Sequence, residues 1–338
     1  MDNPRIVVLG AGSIGCFVGL GWLHSGIQVS LIGRSWLIED LAKHGAVLTD
    51  LDGGRWELPR GSAGATVDAS VLAEADIILL CVKSTGTLPA AEQIRDNARP
   101  GTLVVSFQNG VSNVDALRQA LPQMTVIAGM VGFNVAYEEA GHWHKGTSGL
   151  LLADAHPALE AVTAGTSGAP WALELVDNMP EVAWGKLLLN LNNALNALSG
   201  RTLLDALSDR SYRRVLAASM RETLEILDAA NIQPAKVGPM PPAWLPTFVG
   251  APDWFFNTVG LRLQKIDARA RSSMADDFAN GRPTEIDYLN GEVVRLAERV
   301  GRSAPVNSAI VRLVRKAESA GARPWSGPEM LAECGLDG

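Results

Sequence analysis

Cysteine, tyrosine and histidine are scarce in this chain, and long apolar runs are missing. Among 338 residues there are three Cys, three Tyr and five His. Cys16, Cys81 and Cys334 are odd in number and far apart, so no disulfide framework can be drawn. Cys16 and Cys81 also fall in apolar segments, where buried thiols are common. A reducing, cytoplasmic setting is the expectation. No stretch approaches the ~20 uninterrupted apolar residues of a membrane-spanning helix. The apolar start, 5–32, carries glycines and His24 without the charged, apolar and cleavage regions of a signal peptide. No membrane partner is expected. A basic excess is also missing: 29 Lys and Arg against 36 Asp and Glu leave a net charge of −7. That argues against a broad nucleic-acid face, while a local basic pocket for phosphate remains compatible. Repeats and low-complexity tracts are absent, and no metal site is expected.

What is present suits a two-domain α/β enzyme. Hydrophobic residues make up 47% of the chain and charged ones 19%, enough for two cores. Short apolar runs at 5–10, 27–33, 77–82, 102–108 and 125–134 alternate with helical patterns, which predicts a doubly wound parallel sheet of Rossmann type. Residues 142–154 read as an antiparallel pair at the sheet edge. From about Met179 helical periodicity takes over, at 181–199, 209–231, 254–279, 284–301 and 305–320. The chain therefore divides into a dinucleotide-binding domain, 1–178, and an all-α domain, 179–338. The Pro- and Trp-rich segment 233–254 cannot be helical throughout. It reads as a covering segment, a lid, or a surface for a homodimer.

The run Gly10-Ala11-Gly12-Ser13-Ile14-Gly15 follows a strand and opens a helix, as a dinucleotide fingerprint requires. Gly10 permits a tight turn, Gly12 lets the backbone approach a pyrophosphate, and Gly15 allows close helix–strand packing. The helix N-terminus adds N–H groups and a positive dipole end. A chance glycine turn is the plain alternative. At the end of the second strand stand Arg34 and Ser35, with no acid before Glu39. A guanidinium there can pair with a 2′-phosphate, which a carboxylate would repel, so NADP(H) is the expected cofactor. A solvated surface arginine is the plain alternative. Lys83 and Asn109 end two further strands, on the side where open α/β sheets bind ligands. Either could instead simply terminate its strand, and Asn109-Gly110 is a good turn in its own right.

Helix 182–200 is apolar apart from Lys186 and four asparagines. Lys186, Asn190 and Asn193 fall at i, i+4 and i+7, on one face. A lysine among leucines is costly unless it reaches water or a partner, and its pKa is open to shifting. A snorkelling lysine beside a polar seam is the alternative. The stretch 272–291 packs serines, acids and asparagines around Pro283. Thr284 and Asp287 have capping-box spacing, which makes Thr284 an N-cap and places Glu285 in the first helical turn. Ser273 and Asp277 are spaced i, i+4 just upstream. Glu285 could merely decorate a helix start, but Lys186 needs an anionic partner and this cluster is the natural source.

Taken together, GAGSIG at 10–15, VKS around Lys83, QNG at 108–110, KLLLN at 186–190, SSM…GRPTEIDYLNG at 272–291 and P-x-N at 305–307 resemble the ketopantoate reductase (2-dehydropantoate 2-reductase) family over nearly the whole chain. The resemblance implies a Rossmann domain, a helical C-terminal domain and an active site in the cleft between them. It implies that Lys186 acts on the substrate's C2 carbonyl and that Glu285 contacts substrate and the lysine network. Ser273 would bind the carboxylate, with Asn190 also touching substrate. Lys83 and Asn109 match positions near the nicotinamide, and Arg34 the 2′-phosphate site. Some members carry asparagine eight residues after the lysine, where this chain has Ala194, with Asn193 one place earlier. Segment 233–254 is long as well, and both departures bear on which 2-oxo acid is used. The reading is NADPH-dependent reduction of a small-molecule 2-oxo acid, 2-dehydropantoate first, with Asn109 and Asn193 joining the substrate contacts. A reductase of another 2-oxo acid and a non-catalytic NADP(H) sensor are the alternatives.

Overall fold

A computed structural model describes residues 4–238, 240–260, 270–320 and 323–337. The chain forms two compact units, Met1–Met179 and Pro180–Gly338.

The first unit contains strands β1 (Arg5–Leu9), β2 (Gln28–Ile32), β3 (Ala46–Asp50), β4 (Arg55–Leu58), β5 (Gly64–Thr66), β6 (Ile77–Leu80), β7 (Leu103–Ser106), β8 (Thr125–Val131), β9 (Val135–Tyr137), β10 (His142–Lys145), β11 (Leu151–Asp154) and β12 (Leu173–Val176). Its helices are α1 (Ser13–His24), α2 (Ser35–His44), α3 (Thr87–Asn97), α4 (Asn113–Ala120) and α5 (Glu160–Thr166). Eight strands form one sheet in the order β12-β11-β8-β7-β6-β1-β2-β5. Strand side chains alternate between faces, and this sheet is covered on both. Ile6, Val8, Leu31, Leu79 and Val105 enter a core shared with α1 residues Cys16, Phe17 and Leu20. Val7, Leu9, Ile78, Leu80 and Val104 enter the opposite core with Ala90, Ile94 and Leu117 of α3 and α4. That is why these strands read as continuous apolar runs. All four side chains of β6 are fully buried, each worth roughly 1.5–3 kcal/mol. The chain runs outward from β1 through β2 to β5 and then returns to β6 on the other side of β1. The crevice between the ends of β1 and β6 is the switch point where such sheets take ligands.

One expectation for this unit needs correcting. Residues 142–154 are not one antiparallel pair. β10 belongs to a separate four-stranded sheet, β4-β3-β10-β9, whereas β11 lies inside the main sheet, antiparallel to β8 and parallel to β12. The chain changes sheet through Gly149, whose φ is +150° and whose absent side chain would sit 2.1 Å from the Gly132 carbonyl oxygen. Only glycine allows that crossing, and no local periodicity reveals which sheet each strand joins.

The second unit is helical, with no strand among the described residues. It contains α6 (Met179–Asn190, whose first residue closes the first unit), α7 (Asn192–Ser199), α8 (Leu203–Ser208), α9 (Arg210–Ala229), α10 (Leu245–Val249), α11 (Ser273–Ala279), α12 (Asn290–Arg299), α13 (Pro305–Ala320) and α14 (Gly327–Glu333). The helix expected over 181–199 is interrupted at Leu191, though the backbone there stays α-like (φ −57°, ψ −24°). The helix expected over 254–279 is short turns up to Gly260 and then α11; residues 261–269 of that expectation lie outside the described residues. The helix expected from Thr284 begins only at Asn290. Thr284 Oγ1 accepts from Ile286 N–H rather than from Asp287, so the capping box does not form. A single turn, Ile286–Tyr288, stands there instead.

Segment 233–254 begins against α6, where Ala235 N–H donates to the Glu181 carbonyl, and its later part, from α10, covers α9. The Arg213 guanidinium, fully buried, gathers it by donating to the carbonyls of Val249 and Ala251 and to the Asp253 carboxylate. The same group donates to the Leu207 carbonyl and lies 4.4 Å from the Phe256 ring centroid. Trp244 and Trp254 remain 69% and 74% exposed, so neither is part of that core. Among the described residues no helix is long and apolar enough to cross a membrane.

Candidate active site

The glycine loop shows why each position is glycine. Gly10 has φ +100°, and a Cβ there would lie 2.6 Å from the Val82 nitrogen. A Cβ on Gly15 would lie 2.5 Å from the Gly10 carbonyl oxygen and 3.0 Å from Val8 Cγ1, which is the close helix–strand contact. Gly12 differs: nothing stands within 4 Å of the position its Cβ would take, and the residue is exposed. The loop thus leaves room for another group at Gly12, at the start of α1, whose N-terminus has no side-chain cap. Ala11 is buried, while Ser13 and Ile14 are half-buried in the first turn. An open backbone at an uncapped helix N-terminus has the geometry that suits an anionic group such as a pyrophosphate.

Arg34 is exposed at the N-cap of α2 and makes no ion pair among the described residues. Lys83 and Asn109 each stand three residues beyond their strands, which end at Leu80 and Ser106. Lys83 is exposed and Asn109 half-buried; Gly110, at φ +88°, completes the turn after it. Four further polar side chains hold these two loops. Buried Ser84, Thr87, Gln108 and Asn113 bond to one another and to loop carbonyls. The available signal was a cluster of polar residues within seven positions of the ends of two largely apolar strands.

In the second unit, Lys186 is half-buried and Asn190 is buried one turn later on α6. Burial lowers the Lys186 pKa from its ordinary 10.5 to about 8, and no carboxylate is among the causes. An amine so placed is still mostly protonated at neutral pH but gives up its proton more readily than a solvated one. The neighbouring Gly185 lets the chain at Ala235 lie directly on the helix, its carbonyl 2.1 Å from where a Cβ would be. Asn193 is half-buried beyond the interruption at Leu191. Its carbonyl accepts from Ser272 Oγ, and Asn196 Oδ1 accepts from Ser272 N–H at 2.9 Å. Ser272 also caps α11 by accepting from Ala275 N–H. Of the two adjacent serines, then, Ser272 is spent on structure and Ser273 stays exposed in the first turn. Asp277 is buried on the same helix.

Glu285 is buried just before the turn Ile286–Tyr288. That turn is tied down from two helices. Thr284 N–H donates to Glu318 Oε1 on α13, and Arg315 of α13 pairs with the Asp287 carboxylate at 2.6 Å. Arg295 of α12 donates to the Asp287 carbonyl at 2.6 Å.

A glycine cradle at the switch point of a doubly wound sheet, followed by a helical unit carrying a desolvated lysine, defines an NAD(P)-dependent reductase as a class. The chain matches the family model Ketopantoate reductase PanE/ApbA over residues 6–156 and that family's C-terminal model over residues 178–318. It belongs to the ketopantoate reductase family and is an oxidoreductase. A 2-dehydropantoate 2-reductase of Halobacterium salinarum is 28% identical, with 94% of this chain and 100% of that protein covered. One from Mycobacterium tuberculosis is 25% identical, covering 92% and 97%. The crystal structure of a PanE/ApbA family ketopantoate reductase from Ralstonia eutropha JMP134 superposes with a TM-score of 0.77 at 28% identity, covering 94% and 99%. A D-mandelate dehydrogenase solved with NADH and anilino(oxo)acetate shares the fold, with a TM-score of 0.75 at 19% identity over 94% of this chain and 99% of that one.

Proposed function

We propose that the protein reduces 2-dehydropantoate to pantoate with NADPH. The observation that carries this reading is Lys186: one amine on an apolar helix, desolvated to a pKa of about 8, in a chain whose other unit holds the glycine cradle. When bound, the reduced nicotinamide supplies a hydride to the substrate's C2. Lys186, as ammonium, polarises the C2 carbonyl and donates its proton to the oxygen as negative charge develops there. Glu285, fixed on its turn, holds a substrate hydroxyl or orients Lys186. Ser273 and Asn190 place the carboxylate and the remainder of the substrate, with Asn193 beside them, contributing orientation. Gly10 to Gly15 hold the pyrophosphate, and Lys83 and Asn109 border the nicotinamide. Arg34, unpaired among the described residues and with no acid beside it in sequence, favours the 2′-phosphate.

The test follows loss of NADPH absorbance with a panel of 2-oxo acids, and repeats it with NADH. The expected result is fastest turnover of 2-dehydropantoate and a preference for NADPH. Much faster turnover of another 2-oxo acid would reassign the substrate, and Ala194, buried where some relatives carry asparagine, marks where the pocket would differ. Tight NADPH binding without turnover of any acid would replace the reductase by a sensor.

A further inference from the structure

The two loops that carry Lys83 and Asn109 leave the sheet at the ends of β6 and β7, where the ladder can no longer hold them. Two buried carboxamides tie them together, and one of these grips the Asn109 backbone. Asn113, the first residue of α4 and 3% exposed, donates through Nδ2 to the Asn109 carbonyl at 2.6 Å and to Ser84 Oγ at 2.9 Å. Its Oδ1 lies 2.9 Å from Thr87 Oγ1, which can donate to it. Ser84 Oγ donates to the same Asn109 carbonyl at 3.1 Å, so that one oxygen is gripped from both loops. Gln108 stitches in the reverse direction, with Nε2 donating to the Val82 carbonyl at 3.2 Å and to Thr87 Oγ1 at 2.8 Å. The carboxamide orientation is forced. A flipped Asn113 would set Oδ1 against the Asn109 carbonyl, two acceptors with no proton between them. Both of its N–H groups are used, and a fully satisfied buried network is rigid.

We propose that Asn113 is a positioning residue for cofactor binding, acting by fixing the backbone of Asn109 against the loop of Lys83. The proposal rests on the reading of Asn109 as a cofactor contact. It goes beyond that reading by naming what sets the Asn109 position and by tying it to the second loop. Asn113 itself is buried, with its carboxamide committed to the loops.

The experiment measures NADPH affinity of the intact protein by nucleotide fluorescence, alongside the thermal midpoint, for Asn113→Ala, Asn109→Ala and the double variant. Asn113→Ala is expected to weaken NADPH about tenfold, the scale of a lost orienting contact, in a protein that still melts cooperatively. In the Asn109→Ala background the same change should add less than about twofold, because the side chain that the held backbone positions is gone. A merely structural role would lower the midpoint in both backgrounds and leave the affinity ratio unchanged, which overturns the proposal. If Asn109→Ala alone has no effect on affinity, the reading of Asn109 fails, and the proposal with it. If Asn109→Ala weakens binding while Asn113→Ala does not, only the proposal falls. Should Asn113→Ala not fold, Thr87→Val removes one hydroxyl at constant shape. It should weaken NADPH by about two- to threefold, and unchanged affinity there is equally fatal.

Discussion

The α-helices of the first unit and those of the second end differently. None of α1, α2, α3, α4 and α5 has a side-chain cap. In the second unit α7, α10 and α12 also lack one, but Thr202, Asp209, Ser272 and Ser326 cap α8, α9, α11 and α14, and Glu222 receives the N–H groups of Val306 and Asn307 at the start of α13. Burial of charge follows the same division. Among the described residues the first unit buries no charged side chain, whereas the second buries Arg213, Asp277, Glu285 and Glu292. A sheet satisfies its backbone through the ladder and can leave N–H groups open for a ligand. A bundle of short helices has many ends, and side chains must satisfy them. The first unit thus leaves backbone groups open at the start of α1, and the second commits polar and charged side chains to its interior.

The sharpest way to break that contrast lies in the glycine loop. Gly15→Val should cost about 3 kcal/mol or more, through overpacking against the Gly10 carbonyl, and urea unfolding measures it. Gly12→Ala should change stability by less than about 1 kcal/mol while weakening NADPH. Equal damage from both would mean the loop is only packed, not open. In the second unit, Arg213→Met leaves three carbonyls and Asp253 without their donor and should cost about 3 kcal/mol. A neutral result would show that segment 233–254 is held by its apolar contacts alone.

Lys186→Met comes next. Turnover should fall about a hundredfold, and stability should rise. The folded state disfavours the ammonium, so below pH 8 the native protein carries a charge it would rather lose. Removing it should gain up to about 3 kcal/mol. The gain fades as pH rises from about 8 to 10.5, because the wild-type amine is then already neutral when folded. In the wild-type protein, reductive kcat/KM should decline as pH passes 8. A flat profile would remove Lys186 as proton donor. The smallest effect is expected at Arg34. Arg34→Ala should raise the Kd for NADPH about tenfold and leave NADH unchanged; equal effects on both nucleotides would place the 2′-phosphate elsewhere.

The strand–glycine–helix opening was legible because its information is local. An apolar run, GAGSIG and a helical pattern occupy adjacent residues, and the doubly wound fold follows from apolar runs that alternate with helical patterns along the chain. The apolar character of helix α6 around Lys186 was legible for the same reason. Other features were not. Thr284 looked like an N-cap, yet Glu318 and Arg315 from α13 hold that turn in another shape, with the helix starting at Asn290. Ser272 and Ser273 are identical in type and adjacent. Which one caps and which one faces outward depends on where Asn193 and Asn196 stand. Residues 142–154 gave no sign that their two strands join different sheets, since pairing partners are remote in sequence.

Local pattern alone determined the doubly wound sheet, the helical second half, the glycine cradle and the lysine set among leucines, because spacing and residue type carry those without knowledge of neighbours. Tertiary structure alone decided that the Lys186 amine is desolvated, that Asn113 locks two loops together, and that Arg213 clamps the Pro- and Trp-rich segment. Each depends on groups tens of residues away arriving within hydrogen-bonding or van der Waals distance, and periodicity does not encode such distances.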